Sequence, residues 1–352
     1  MSGVYFTRFG RVLQSFPKEQ YMHERLIIVS GHSAYGSVRA SQISDRVEMI
    51  TDRLVWGPVE LNTNDPAIFR DQRFASWDAA PNTSDQPESW EREDCARRLE
   101  WAAHIPSLAE YARIELWMDP DSNGQLQLLY LLHWFSSHKT LASKLFIAQI
   151  KHPLGETRPY EHGSLSPYIF QASEREIDLA INAWNAFRQP TPQAWCALLT
   201  QDLDSIPGLR RTVGKMLAEL PAAGTGLRAS ERRLLELVAS DRASLRHVMS
   251  GMTHSVFGYW ELGRLLNALG RGPHPAITGI EDVAFDLALH EHAQRFNAYT
   301  SSTLKLSAFG RSLLRGEDSL IRKAPRHFWW GGTLITSERP WCWSAQEEIL
   351  SC

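Results

Sequence analysis

The sequence predicts an α/β protein: a parallel, Rossmann-like sheet in the amino-terminal half, followed by a mainly helical, winged-helix-like carboxyl-terminal part. Three observations predict it. From Arg25 onward short β-branched runs alternate with helical segments, beginning LIIVS, SAYGSVRASQI, VEMIT, and strand–helix–strand order builds a parallel sheet under covering helices. Residues 124–135, GQLQLLYLLHWF, are apolar on nearly every side, which belongs to a core and not to a solvated face. Further on, three helical patterns, a short strand and another helix follow one another, the order of parts in a winged helix.

The elements follow in order. Strands are expected at LIIVS, VEMIT, ARIELWM and KLFIAQI. Between the second and third lies a polar, proline-containing stretch, residues 62–88, whose APNTSDQPES portion reads as a surface loop. SERE at residues 173–176 forms a capping box that opens the amphipathic segment IDLAINAWNAF. PAAGTG at 221–226 reads as a hinge. ASERRLLELVAS, DRASLRHVM and GYWELGRLLNALG are the three helical patterns, ended by RGPHP, and TLKLSAFGRSLLRG supplies the strand and the further helix. The tail HFWWGGTLITSERPWCW reads as an aromatic hairpin turning at residues 337–340. The expected organisation is therefore an extension at 1–24, an α/β ligand-binding domain at 25–170, a helical connector at 171–225, a winged-helix-like domain at 226–328 and the hairpin tail at 329–352.

A chain of 352 residues, 43% hydrophobic and 22% charged, is long enough for two domains with sizeable cores. Its net charge of -3 exerts no global pull on nucleic acid or anionic membrane. Cys95, Cys196, Cys342 and Cys352 are far apart and form no CxxC pair, the pattern of reduced thiols in a cytoplasm and not of a disulfide or zinc framework. Arg8, Arg11, Lys18 and Glu19 interrupt the start before a secretory apolar core can form, and no stretch approaches eighteen uncharged apolar residues. A cytoplasmic protein without membrane association is expected, with a homo-oligomer left open.

The chemistry concentrates in LIIVSGHSAYGSVRAS, residues 26–41. Gly31, Ser33 and Gly36 match two thirds of a GxGxxG fingerprint, with serine at the central glycine. Glycine permits the tight turn from strand to helix, and the amides of the helix start, helped by the Ser33 and Ser37 hydroxyls, suit an anion. Serine at the middle position obstructs a pyrophosphate, so a single phosphate or carboxylate is expected. The competing reading has Ser33 merely capping the helix. Asp52 stands at the end of the second strand, where such sheets keep a ribose-binding acid. Asp119 and Asp121 follow the third strand and His152 the fourth. Strand ends of a parallel sheet open on one edge, so Ser33, Asp52, Asp119 and His152 are expected to converge. DPDSNG is equally the composition of a turn and helix start.

The strings SGHSAYGS, TDRLVWGPV, IELWMDPDSNGQLQLLYLL, WWGGTLI and WCW together resemble an uncharacterised bacterial family, that of domain of unknown function 1835. The resemblance runs from about Leu26 to Trp343. It implies an amino-terminal α/β domain with a GDS loop and a DxLxxGP motif, joined to a carboxyl-terminal helical domain. Gly31 and Ser33 fall on the loop; Asp52, Leu54, Gly57 and Pro58 fall on the second motif. His32 stands where the family usually has aspartate, and the family brings no established reaction.

Other groupings carry less. His290, Glu291 and His292 alternate across a helix without HExxH spacing, so a solvated face is expected there and no metal site. Neither a GxSxG elbow nor a Walker loop occurs. Between Arg228 and Arg326 fourteen Lys and Arg face ten Asp and Glu. The helix best placed to read a groove offers just Arg264 and Asn267, too few for major-groove specificity, and nucleic acid is not the favoured partner. Trp329, Trp330, Trp341 and Trp343 are expected to seal a core or an interface.

The reading that results is a protein that binds a small anionic or phosphorylated ligand, possible enzyme chemistry resting on His32 and Asp52. The ligand-binding set is Gly31, His32, Ser33, Gly36, Ser37, Asp52, Gly57, Asp119, Asp121 and His152; no cofactor is named. The alternatives are a ligand-responsive DNA-binding regulator and a protein-docking module.

Overall fold

The computed structural model describes residues 23–44, 46–59, 66–80, 84–87, 89, 91–92, 108–157, 167–240, 244–280, 283–324 and 326–352. Strand β1 (His23–Ser30) runs through a five-stranded sheet in the order β2-β1-β3-β4-β5. β2 (Val47–Ile50), β3 (Tyr111–Trp117) and β4 (Leu145–Gln149) are parallel to their neighbours. β5 (Tyr168–Gln171) adds an antiparallel edge, with Phe170 opposite Ile147. The four expected strands are present; β5 was not expected, because four residues of YIFQ carry too little pattern without the strand they pair with.

Alternation along β1 sorts its side chains onto two faces. Ile27 and Val29 pack with Ala34 and Val38 of helix α1 (Gly31–Ala40). Leu26 and Ile28 belong to the larger core on the other face, shared with the helices that follow. Each such side chain, at 0–1% exposure, contributes about 1.5–3 kcal/mol through burial. The chain turns left from β1 to β2 and right from β3 to β4, so strand order reverses between the ends of β1 and β3. That reversal is where α/β sheets open a crevice.

Helix α2 (Pro66–Ala79), which was not expected, lies in the polar stretch between β2 and β3, ahead of the APNTSDQPES portion read as a surface loop. Proline at the first helical position and Phe69, Arg70, Arg73 and Trp77 at helical spacing account for it; all four of the latter are buried. The surface-loop reading of the following residues is also corrected at Asp85, which is 1% exposed and accepts from the Trp329 amide at 3.0 Å. Helix α3 (Ser122–Ser136) is buried along almost its whole length, as its apolar circumference required.

Short α4 (Lys139–Ala142) precedes β4. α5 (Glu174–Phe187) begins at the SERE box, where the Ser173 amide donates to Glu176 at 2.8 Å. α6 (Gln193–Ala197) and α7 (Leu209–Ala218) follow. The chain then builds α8 (Ala229–Ala239), α9 (Leu245–Ser250) and α10 (Tyr259–Arg271). β6 (Ile277–Thr278) comes next, then α11 (Leu287–His290), α12 (Ala293–Thr300), β7 (Lys305–Leu306), α13 (Ala308–Arg315) and α14 (Leu320–Lys323). β6 and β7 pair antiparallel, and Ser244 bridges to Thr303 beside them.

The tail turns elsewhere than expected. β8 (His327–Trp330) pairs with β9 (Thr333–Thr336) about Gly331 and Gly332. Gly331 has φ +55°, and a Cβ on Gly332 would lie 1.9 Å from the Arg188 carbonyl oxygen, so this pair of glycines makes the reversal against the end of α5. Ser337–Pro340 instead joins β9 to a second hairpin of β10 (Cys342–Ser344) and β11 (Ile349–Ser351). Trp330, Trp341 and Trp343 are buried, and Trp330 donates to the Met216 carbonyl at 2.8 Å. Among the described residues no helix is long and apolar enough to cross a membrane.

Candidate functional site

The amino end of α1 opens into a cavity of about 450 Å³. Its floor is Gly31, His32 and Ser33, and one wall is the loop after β2, Thr51 to Arg53 with Trp56. Helix α2 supplies Arg70, Arg73, Phe74 and Trp77, and the start of α10 closes the far side with Gly258, Tyr259, Trp260, Glu261 and Arg264. This is the size of a small-molecule site.

Gly31 occupies the left-handed region, φ +75°, with no atom near where a Cβ would stand; here glycine serves the backbone angle alone. The helix cap is Ser30, and it makes no side-chain cap bond. Its hydroxyl instead accepts the Asp119 amide at 3.1 Å. The reading of Ser33 as the cap is thereby corrected: Ser33 lies inside the first turn. That first turn holds no acidic residue, so no side chain of its own offsets the positive end of the helix dipole.

The loop after β2 is held rigidly. Asn123 Oδ1 accepts from the amides of Leu54 at 2.8 Å and Val55 at 3.3 Å, while Gln127 Nε2 donates to the Asp52 carbonyl at 2.9 Å. Arg73 donates to the carbonyls of Pro58 and Trp56, both at 2.6 Å, and of Arg53 at 3.2 Å. Gly57, φ +78°, lies under Trp77, where a Cβ would come within 1.8 Å of the indole. Gly57 therefore shapes the wall and does not line the cavity.

Asp52 lines the cavity, but it is 4% exposed and gripped by Arg70, whose Nε and Nη2 donate to its two oxygens at 3.1 and 3.0 Å. Burial by itself would raise its pKa. Arg70, by charge and hydrogen bond, with Arg73 beyond it, holds the carboxyl below the usual range. A carboxylate so fixed anchors an arginine; it is poorly suited to act as a base.

Of the residues expected to converge, the cavity brings together Gly31, His32, Ser33 and Asp52. Gly36 is exposed on the second turn of α1 with open space around it. Ser37 donates to the Thr157 carbonyl at 2.7 Å. Asp121 is the cap of α3, accepting from the Gly124 amide at 2.7 Å, the turn-and-helix-start role its composition allowed. His152 is exposed beyond β4 and lines no described cavity.

Asp119 sits at the reversal between β1 and β3, and there the crevice is filled. The Leu154 amide donates to Asp119 Oδ1 at 2.8 Å, and the turn Leu154–Glu156 lies against α1, with Gly155 beside Ser33. Burial raises the Asp119 carboxyl to about 6, against the opposing hydrogen bonds from Leu154 and Ser30. The open volume therefore lies on the β2 side of α1.

Arg70, Arg73, Phe74 and Trp77 were missed with their helix, although Pro66 and the spacing of these four were a usable signal. Glu261 and Arg264 could not be placed from sequence at all. Glu261 accepts from Arg53 Nε at 2.8 Å and Nη2 at 3.2 Å, across 208 residues of chain. His290 departs from the solvated face expected of it: its ring lies 4.5 Å from that of Trp260 and 4.9 Å from Phe296, and Nε2 is 2.7 Å from the Tyr259 hydroxyl. Among the described residues no group of three His, Cys, Asp or Glu gathers as a metal site. No protein-family model matches the chain, and no curated protein matches it.

Proposed function

We propose that the protein binds a small anionic ligand, a phosphate or phosphate monoester or a carboxylate, in the cavity at the amino end of α1. The observation that carries this reading is the first turn of α1, whose residues Gly31, His32 and Ser33 line a 450 Å³ cavity while Ser30 is engaged elsewhere. His32 and Ser33 would add donors at that end. The reading agrees with the single-anion site implied by Gly31, His32 and Ser33; Asp52, which heads the DxLxxGP motif in the resemblance to domain of unknown function 1835, lines the same cavity.

The three helices α8, α9 and α10, followed by the antiparallel pair of β6 and β7 and then α13, support a winged-helix-like arrangement for the carboxyl-terminal part, with α11 and α12 inserted between the two strands. Its third helix contributes the far wall of the cavity, which supports a role in closing the ligand site over one in reading DNA. The test is thermal denaturation with inorganic phosphate, sulfate and acetate. A ligand at one hundred times its Kd adds about 2.7 kcal/mol, and His32→Ala and Ser33→Ala should each diminish the shift. A panel of anions that moves neither wild type nor variants overturns the proposal.

A further inference from the structure

The walls of the cavity restrict what an anion bound at α1 can be attached to. Four arginines and three carboxylates line it: Arg53, Arg70, Arg73 and Arg264 against Asp52, Glu91 and Glu261. The carboxylates are matched one to one, Asp52 with Arg70, Glu261 with Arg53 and Glu91 with Arg264. Arg73 is turned to the carbonyls of the loop. The lining is thus close to neutral beyond the helix end, a setting for one anionic group and unfavourable to a chain of phosphates.

The remaining surface is aromatic. Trp56 and Trp77 stand on the α/β side, Phe74 beside them, and Tyr259 and Trp260 stand opposite at the start of α10. Ring faces at this density suit a flat unsaturated body better than a sugar or an aliphatic chain, since stacked ring pairs add about 0.5–1.5 kcal/mol beyond simple burial. Trp56 and Trp77 are each only 5% exposed, packed against Phe257 and Arg73 respectively, so the rings open to the cavity are Phe74, Tyr259 and Trp260.

We infer that the ligand is an aromatic compound bearing a single phosphate, its phosphate at α1 and its ring between Phe74 and the start of α10. This rests on the anion reading above, and the two are separable by experiment. Titration calorimetry of the full chain would compare inorganic phosphate, cyclohexyl phosphate, phenyl phosphate, AMP, ATP and adenosine. Phenyl phosphate should bind at least fivefold tighter than cyclohexyl phosphate, a body of similar size without the ring face. AMP should bind tighter still, and ATP no tighter than AMP. Phe74→Leu and Trp260→Leu, which keep apolar volume, should each weaken AMP about tenfold and leave inorganic phosphate unchanged. Equal affinity for phosphate, cyclohexyl phosphate and phenyl phosphate overturns the ring and leaves the anion site standing. Adenosine binding as tightly as AMP overturns the anion site and leaves the ring. A protein that binds none of the six overturns both.

Discussion

Arg264 Nη2 lies 2.5 Å from Glu91 Oε2, and the two side chains are only 12% and 24% exposed. The arginine expected to face a DNA groove is therefore turned into the protein, against the segment that follows α2. Asn267, the other expected reader, is likewise taken: it donates to the Phe285 carbonyl at 3.2 Å and accepts the Phe285 amide at 3.1 Å. No specific duplex binding is expected at physiological salt. Titration of labelled genomic fragments at two salt concentrations checks this. A site-specific complex that survives the higher salt and disappears in Arg264→Ala would contradict it, because phosphate contacts alone weaken with a slope of about -0.9 per phosphate neutralised.

Asp52→Asn should destabilise the fold by about 3–5 kcal/mol, the usual consequence of leaving a buried arginine without its counter-charge. The ion pair with Arg70, and not its place at a strand end, makes Asp52 a residue on which the fold depends. Its lowered pKa sets the sign with acid: stabilisation is complete above the ordinary carboxylate range and is lost as pH falls through the lower folded value. Urea denaturation of wild type and variant at neutral pH is the measurement. An unchanged midpoint would show that the ion pair contributes nothing to folding.

Asp119 behaves in the opposite sense. Its folded pKa near 6 exceeds the unfolded one, so the folded state holds the extra proton between roughly pH 4 and 6, and stability falls as pH rises through that window. The penalty above pH 6 is on the order of 2–3 kcal/mol. Asp119→Asn, which still presents an acceptor to Leu154, should be more stable than wild type at pH 7 and lose that advantage near pH 4. Comparing the two chains cancels other titrating groups, including Glu219, raised to about 7 by burial. An advantage that does not change with pH would exclude this assignment.

Gly36→Ala should stabilise the protein by about 0.5–1 kcal/mol, since the residue sits mid-helix with open space at its Cβ. The response to inorganic phosphate should be unaltered. A weakened response would return Gly36 to the ligand site, where the sequence pattern placed it.

By itself the sequence determined the four parallel strands, because β-branched runs of LIIVS type have one compact solution when helices separate them. It likewise determined the burial of α3, whose circumference is apolar, and the turn at Gly31, where the chain passes from strand to helix. The capping role of Asp121 was one of the two readings its neighbours allowed. Tertiary structure alone decided which candidate residues meet. Sequence spacing places Asp52, Asp119 and His152 at strand ends on one edge, but whether each faces open volume depends on what packs against it. The Leu154–Glu156 turn fills the place beside Asp119, and Arg70 from an unexpected helix occupies Asp52. Glu261 lies 208 residues from Arg53, and Arg264 lies 173 residues from Glu91. A hydrogen bond across such a separation leaves no local periodicity in the chain, since it arises only when α10 packs against the loop after β2 and the segment after α2.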